Sequence, residues 1–160
     1  MPICNLQEMK SRMVFGTRIV GFDVGDKTIG VSISDPMLSI ATAIGTVERK
    51  DWAADLAALA AIFKVRNVGG VVVGLPLNMD GSEGPRCAIT RKFANKFLAD
   101  WKVMGFAKEP PLCFQDERLS TSAVDRFLVK EADTTRKRRD AVVDKLAATY
   151  ILQGALDRLG

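Results

Sequence analysis

Three acidic residues occupy positions where their neighbours make a carboxylate unexpected. Asp23 lies near the end of an apolar, β-branched run, and Glu117 follows another short apolar run. Asp144 is four residues before Ala148 and seven before Ile151, so in a helix it leans toward the apolar side. An acidic side chain in such a setting needs a partner, because burying an unpaired carboxylate is costly.

The chemistry available to such acids depends on whether they converge. Each of them, taken alone, is more often a turn, helix-cap or salt-bridge residue than a metal ligand. Together at one edge of a sheet they would form a set of oxygen ligands for hard divalent cations. Two such cations about 4 Å apart can activate a water and stabilise the leaving oxygen of a phosphodiester. Convergence would therefore indicate metal-dependent hydrolysis of a nucleic acid.

The composition excludes several kinds of catalytic and metal site. The chain has 160 residues and contains no histidine, which excludes Ser-His-Asp and Cys-His catalysis and histidine metal sites. Any metal would be held by oxygen ligands, which favours Mg²⁺ or Mn²⁺ over zinc. Three cysteines, Cys4, Cys87 and Cys113, are odd in number and widely separated, so neither a disulfide framework nor a zinc knuckle is predicted.

Length and charge indicate one mildly basic globular domain. An apolar fraction of 48% suffices for a core, and no apolar run reaches the roughly 18 residues that a membrane span needs. The start lacks the basic-then-apolar order of a secretory signal, so we expect a cytoplasmic protein without a membrane partner. A net charge of +4 suits an anionic partner. We predict a poorly ordered extension over residues 1–16 and a single domain over residues 17–160.

Periodicity predicts the elements that would position the acids. Two apolar runs flank a Gly/Asp turn at 25–26, which predicts a hairpin over residues 19–34, and a third strand is expected over 39–47. An apolar stripe from Trp52 to Phe63 predicts a helix capped by Asp51. After a break at Gly69-Gly70, residues 71–75 read as a buried parallel strand.

The second half of the chain repeats the strand and helix alternation. A helix is predicted from Pro85 to Trp101, a strand over 112–115, a helix after Ser120 or Thr121, and a closing helix from Asp140 to Leu159. Asp23 and Glu117 then stand at the ends of two strands, the edge of an open α/β sheet where ligands bind.

Several cations could meet a phosphate backbone. Arg86 and Arg91 lie on the helix that follows a loop rich in Gly, Ser and Asn, and they either reach phosphates or are solvated. The run Arg136, Lys137, Arg138, Arg139 stands at the entrance of the closing helix, where it opposes the helix dipole by roughly 0.3–1 kcal/mol per exposed charge. A phosphate backbone would offset that cost, although a solvated basic loop explains the run equally well.

Four blocks of the sequence, in this order and spacing, resemble the YqgF/RuvX family of pre-16S rRNA nucleases, also called Holliday junction resolvase-like proteins, within the ribonuclease H-like superfamily. The resemblance covers about residues 18–157. The blocks are Gly21-Phe22-Asp23-Val24-Gly25 with Ile29-Gly30-Val31; Gly74-Leu75-Pro76 with Asn78-Met79-Asp80-Gly81-Ser82; Asp116-Glu117-Arg118-Leu119-Ser120-Thr121; and Asp144-Lys145-Leu146-Ala147-Ala148 with Ile151-Leu152-Gln153.

The resemblance implies an α/β, ribonuclease H-like fold, with a mixed five-stranded sheet of three antiparallel and two parallel strands and helices on both faces. It also implies that Asp23 bridges two metal ions, Mg²⁺ or Mn²⁺, while Glu117 and Asp144 complete their ligands. Asp116 and Asp140 are neighbours of undetermined role. Arg118 would meet phosphate or orient Glu117.

One position departs from the family pattern. The hairpin turn usually carries an arginine where this chain has Thr28, with Lys27 beside it. Either Lys27 supplies the missing cation or a phosphate contact is lost.

These features favour a metal-dependent nuclease acting on structured RNA, similar to enzymes that process the 5′ end of pre-16S rRNA, with ribosomal precursor particles as possible partners. The alternative with the same acids is a Holliday junction resolvase cutting four-way DNA junctions, for which a homodimer rather than a monomer would be needed. A non-catalytic nucleic-acid-binding factor is a further alternative. An ATPase-like domain ranks low, because such folds pair two domains around the nucleotide.

Overall fold

The sheet at the centre of the fold has five strands. The structure of the chain, a computed structural model, describes the backbone of residues 3–117 and 136–159 and the side chains of residues 3–117 and 146–159. The strands are β1 (Arg18–Val24), β2 (Thr28–Ser34), β3 (Ala41–Glu48), β4 (Val68–Leu75) and β5 (Leu112–Asp116). Their order across the sheet is β3-β2-β1-β4-β5.

The pairing combines a meander with a parallel half. β1 pairs antiparallel with β2, and β2 pairs antiparallel with β3. β4 lies parallel to β1 on its other side, and β5 lies parallel to β4. The predicted mixed sheet of three antiparallel strands followed by two parallel strands is confirmed. The carboxyl ends of β1, β4 and β5 therefore share one edge.

Helices cover both faces of the sheet. They are α1 (Leu6–Arg12), α2 (Trp52–Phe63), α3 (Pro85–Ala99), a 3₁₀ turn (Trp101–Met104) and α4 (Arg136–Leu159). Residues of α2 and α3 pack with Val20, Phe22 and Val24 on one face, whereas residues of α1 and α4 pack with Ile19 on the other. Because side chains alternate along a strand, Gly21 and Asp23 belong to the α4 face.

An aromatic cluster anchors the central strand. The ring of Phe22 lies 5.5 Å from that of Phe93, 5.7 Å from Phe97 and 6.0 Å from Phe63 between centroids, and all four side chains are buried. Each such aromatic pair contributes roughly 0.5–1.5 kcal/mol beyond its buried area. The strand position next to Phe22 is therefore held rigidly, and that position is Asp23.

Some element boundaries differ from expectation. Residues 1–16 were expected to be poorly ordered, but residues 6–12 form α1, because Leu6 and Met9 recur at helical spacing and are buried against the sheet and α4. Gly69 and Gly70 lie inside β4 rather than before it. A Cβ on Gly69 would collide with Thr17 and one on Gly70 with Met13, so these glycines permit close packing there.

The closing helix begins earlier than predicted. α4 starts at Arg136, so the run 136–139 occupies its first turn instead of a preceding loop. The helix predicted after Ser120 lies outside the described residues. Among the helices of the described ranges, none is long and apolar enough to cross a membrane.

Candidate active site

The carboxyl edge of the parallel strands brings Glu117 and Asp23 into electrostatic contact. β5 ends at Asp116, which pairs in register with Leu75 of β4. The backbone N–H of Glu117 then donates to the carbonyl oxygen of Leu75 at 3.3 Å, which continues the ladder by one bond. This bond fixes the backbone from which the Glu117 side chain projects.

The Glu117 side chain lies on the α4 face of the sheet and is buried. Only 6% of the residue is exposed. Its Oε2 atom is buried and accepts no hydrogen bond from any residue in the described ranges. A buried carboxylate oxygen without a donor is costly, typically by 1–3 kcal/mol or more. The position is therefore one at which a cation would be strongly stabilised.

Gly74 makes room for this carboxylate. A Cβ on Gly74 would lie 2.5 Å from Glu117 Oε2 and would also collide with the Cδ1 of Ile151 in α4. Any larger residue at 74 would displace either the carboxylate or the helix. A glycine inside an otherwise β-branched run is the sequence signal for such a close approach, and the sequence reasoning did not use it.

The negative charge of Asp23 affects the pKa of Glu117. Burial, and then the negative charge of Asp23, raise the pKa of the Glu117 carboxyl to about 7, with a smaller contribution from Asp116. Arg86, in the first turn of α3, opposes this rise with its positive charge. Two carboxyl groups that repel each other in a buried site favour a bound cation when both are ionised. This pair is the part of the predicted acidic set that the structure brings together.

The other predicted acids fall partly outside the structural description. Asp116 ends β5 and is exposed. Asp140 and Asp144 belong to α4, whose backbone is described at these positions while their side chains are not. Among the side chains that are described, no three histidine, cysteine, aspartate or glutamate groups converge as a metal site. The orphaned oxygen of Glu117 beside Asp23 nevertheless fits a divalent cation.

The predicted nucleic-acid-binding residues differ in their surroundings. Lys27 is exposed in the β1–β2 turn, and Arg86 is exposed on α3. Arg91 instead donates through Nε to Glu83 Oε1 at 2.6 Å and through Nη2 to Oε2 at 3.0 Å, and its guanidinium lies 4.9 Å from the centre of the Phe114 ring. A phosphate would have to compete with Glu83 for Arg91.

The remaining predicted cations carry no described side chains. Arg118 lies outside the described residues. The run Arg136, Lys137, Arg138, Arg139 is described only as helical backbone.

A cation that the sequence reasoning missed holds the hairpin. Arg49, just after β3, donates through Nη1 to the carbonyl oxygen of Gly25 at 2.9 Å, and its backbone N–H donates to Lys27. Its Nε lies 3.9 Å from Oδ2 of Asp55, a buried acid that also accepts from the backbone N–H of Lys50. These bonds fix the turn two residues beyond Asp23. Sequence spacing gave no signal for them, because they depend on the β2–β3 register.

The sequence of this chain is similar to those of known proteins over nearly its whole length. The profile of a family described as "RuvX: Holliday junction resolvase" matches residues 17–158. A protein of Rhodospirillum centenum named "Putative pre-16S rRNA nuclease" is 52% identical over 99% of this chain and 83% of its own length. A protein of Rhodospirillum rubrum with the same name is 50% identical over 99% of this chain and 94% of its own length.

Solved structures agree on the fold. A fowlpox virus Holliday junction resolvase superposes with a TM-score of 0.53 at 13% identity, over 90% of this chain and 100% of that one. Thermus thermophilus RuvC in complex with a Holliday junction substrate gives 0.51 at 14% identity, over 90% and 96%. These structures confirm the predicted ribonuclease H-like fold, and the relatives at 50–52% identity confirm the predicted nuclease class. Matched over nearly its whole length, the chain belongs to the RuvX family.

Proposed function

We propose that this chain is a divalent-metal-dependent nuclease that hydrolyses phosphodiester bonds of structured RNA, with the 5′ region of pre-16S rRNA as its substrate. The observation that carries the proposal is the buried Glu117 Oε2, which has no hydrogen-bond donor among the described residues and repels Asp23 at the ligand-binding edge of the sheet. The names of the relatives supply the substrate class.

The proposed metal ligands are Asp23, Glu117 and Asp144. Mg²⁺ or Mn²⁺ bound there would lower the pKa of a water and offset charge on the leaving oxygen. Asp116 and Asp140 stand next to this set, and we propose that they support it.

The course of α4 supports the inclusion of Asp144. Leu156 and Leu159 pack with Leu6 and Met9 of α1, which follows the bond from Cys4 N–H to Leu112 O at the amino end of β5. Ile151 instead packs near Gly74 and Glu117 at the carboxyl end of the strands. The helix therefore runs toward the carboxyl edge as its residue numbers decrease. Position 144 lies about two turns before Ile151, nearer that edge.

The proposed RNA contacts come from cations around the same edge. Lys27 and Arg86 are exposed there, and Arg118 with the first turn of α4, residues 136–139, would extend the basic surface along the phosphate backbone. Arg91 would contribute only after leaving Glu83. Processing of rRNA would place the protein in the cytoplasm, acting on ribosomal precursor particles.

A resolvase acting on four-way DNA junctions is the second candidate. The family description and the fold neighbours favour it, since both name Holliday junctions. The same acids would serve either reaction, because the metal acts on the phosphodiester while grooves and loops select the substrate. Symmetric cutting of a junction would require a homodimer with two sites.

The deciding experiment offers both substrates to the purified protein. A labelled pre-16S 5′ fragment and a labelled four-way junction are incubated with Mg²⁺ or Mn²⁺ and the wild type, Asp23→Asn, Glu117→Gln or Asp144→Asn. Asp157→Asn is the matched control, an exposed acid on the same helix as Asp144. We expect cleavage of the RNA by the wild type and the control alone. Preferred junction cleavage by a dimer would transfer the proposal to the resolvase, and cleavage of neither substrate would overturn both.

A further inference from the structure

A groove of about 620 Å³ lies at the opposite edge of the sheet from the acids. Thr17, just before β1, and Val68 and Gly69 at the start of β4 line it, so it stands at the amino ends of these strands. Seven strand residues separate this edge from the carboxyl edge, which is roughly 20 Å at the usual rise. The groove is thus a separate surface from the proposed active site.

The floor of the groove is apolar and rigid. Phe63 and Phe106 line it with their rings 5.6 Å apart, and Phe106 packs at 6.0 Å on Phe97 of the core. Because the floor is continuous with the aromatic cluster around Phe22, it is held open by the core.

The rim exposes more apolar surface than the fold requires. Val14 and Val103 line the groove and are 57% and 66% exposed, and Phe15, next to Val14, is 98% exposed. Isolated exposed apolar residues are ordinary, but a group of them around an apolar groove marks a contact surface.

The charged residues that line the groove have one sign. Among the described residues that line it, Lys64 and Lys108 are basic and none is acidic. Lys108 Nζ donates to the carbonyl oxygen of Arg12 at 2.6 Å, which holds this ammonium beside the groove. An ammonium has three donors, so Lys108 can also bind a carboxylate.

From these observations we infer that the groove binds an acidic peptide segment of a protein partner, which inserts an aliphatic or aromatic side chain between flanking Asp or Glu residues. The apolar anchor would fill the floor, and the acidic flanks would pair with Lys64 and Lys108. This surface would let a partner hold the enzyme while the carboxyl edge stays open to substrate.

Other occupants fit less well. A symmetric contact with a second copy would bring Lys64 and Lys108 toward their own copies, a like-charge arrangement that opposes association. A nucleic acid would need a row of cations that follows its phosphate backbone, but the described residues that line the groove include two cations, Lys64 and Lys108.

The test uses amide chemical shifts of the ¹⁵N-labelled full chain. The probe is the capped peptide Glu-Asp-Leu-Phe-Asp-Glu, with Lys-Arg-Leu-Phe-Arg-Lys and Glu-Asp-Ser-Ser-Asp-Glu as controls. We expect the first peptide alone to shift the amides of Asn67, Gly69 and Gly105, which line the groove. The double variant Lys64→Glu/Lys108→Glu should weaken this binding about 10-fold. Lys10→Glu/Lys92→Glu changes the charge equally at exposed positions outside the groove and should leave binding within about 2-fold.

The inference would be overturned if the acidic peptide at millimolar concentration shifted no groove amides, or if either control peptide bound equally well. An equal loss of peptide affinity in the two double variants would also overturn it. So would groove shifts that follow protein concentration or an RNA oligonucleotide instead of the peptide. Nuclease activity should be unchanged in all four lysine substitutions, so a failed groove and a failed nuclease proposal remain distinguishable.

Discussion

The carboxylate of Glu117 packs directly against the backbone of Gly74. A Cβ at position 74 would come within 2.5 Å of Glu117 Oε2. Carboxylate, strand and helix thus meet at one point, since Ile151 of α4 occupies the same space. The absence of a side chain at 74 is what allows an acidic group to be buried at this edge.

Replacing Gly74 with alanine should therefore damage both stability and activity. The methyl group must displace Glu117 or Ile151, and such overpacking costs typically 1–3 kcal/mol. Urea unfolding would measure the change in free energy, and RNA cleavage would measure the displaced carboxylate. The matched control is Gly154→Ala in α4, where the contact of the new Cβ among the described residues is with the side-chain Nε2 of Gln115 at 3.3 Å. An unchanged free energy of unfolding in Gly74→Ala would contradict the close fit.

Glu117→Gln should stabilise the metal-free protein at neutral and alkaline pH. The pKa of Glu117 is raised from 4.5 to about 7 on folding, so the folded state binds its proton more tightly than the unfolded chain does. Stability from this group is therefore greatest below pH 4.5 and falls as the pH rises to about 7. The loss is on the order of 3 kcal/mol, and glutamine avoids it.

Unfolding in a chelator at pH 5 and pH 8 would measure this difference. We expect the variant to exceed the wild type at pH 8 by more than at pH 5. A variant less stable than the wild type at pH 8 would show that ionised Glu117 does not destabilise the folded protein.

Divalent cations should offset the destabilisation that ionised Glu117 causes in the folded protein. Mn²⁺ or Mg²⁺ that binds ionised Glu117 and Asp23 will raise the melting temperature of the wild type, since a ligand of the folded state stabilises it. The rise should be larger at pH 8 than at pH 6, because at the lower pH the metal must displace the Glu117 proton. Glu117→Gln should show a small rise at both values. Equal rises in wild type and variant would place the metal elsewhere.

Arg86 and Arg91 should differ in their effect on RNA binding, although both are arginines of α3. Arg86→Ala should weaken binding and reduce the salt slope by about one unit. Arg91→Ala should change both less, because Glu83 already neutralises Arg91. Filter binding at several salt concentrations would measure the slopes. A larger effect at Arg91 than at Arg86 would mean that the pair with Glu83 opens for substrate.

Much of the fold was predictable because its signals are local. The alternation of apolar residues in β1 and β2, and the Asp51 cap whose Oδ1 accepts from Ala54 N at 2.8 Å, depend on short sequence windows. Helix α1 was missed because two buried residues make a weak periodic signal, and because its stability comes from packing on β5 and α4. The strand glycines 69 and 70 were misread as a break, since glycine signals either a turn or a close contact.

The site was predictable in its residue types and only partly in its geometry. Acids at strand ends marked Asp23 and Glu117, and the absence of histidine raised their value as metal ligands. The contacts of Arg49 with Gly25 and of Gly74 with Glu117 depend on strand register and helix docking. The glycine inside the β-branched run signals a close approach at position 74, but no pattern within a short window identifies the residue that makes the contact.

The most direct test of the central claim is single-turnover cleavage of a labelled pre-16S 5′ fragment in saturating Mn²⁺ by wild type, Asp23→Asn and Asp157→Asn, with unchanged circular dichroism as proof of folding. The account predicts cleavage by wild type and Asp157→Asn at similar rates, and a loss of at least about 100-fold in Asp23→Asn. Cleavage by Asp23→Asn at the wild-type rate would contradict it.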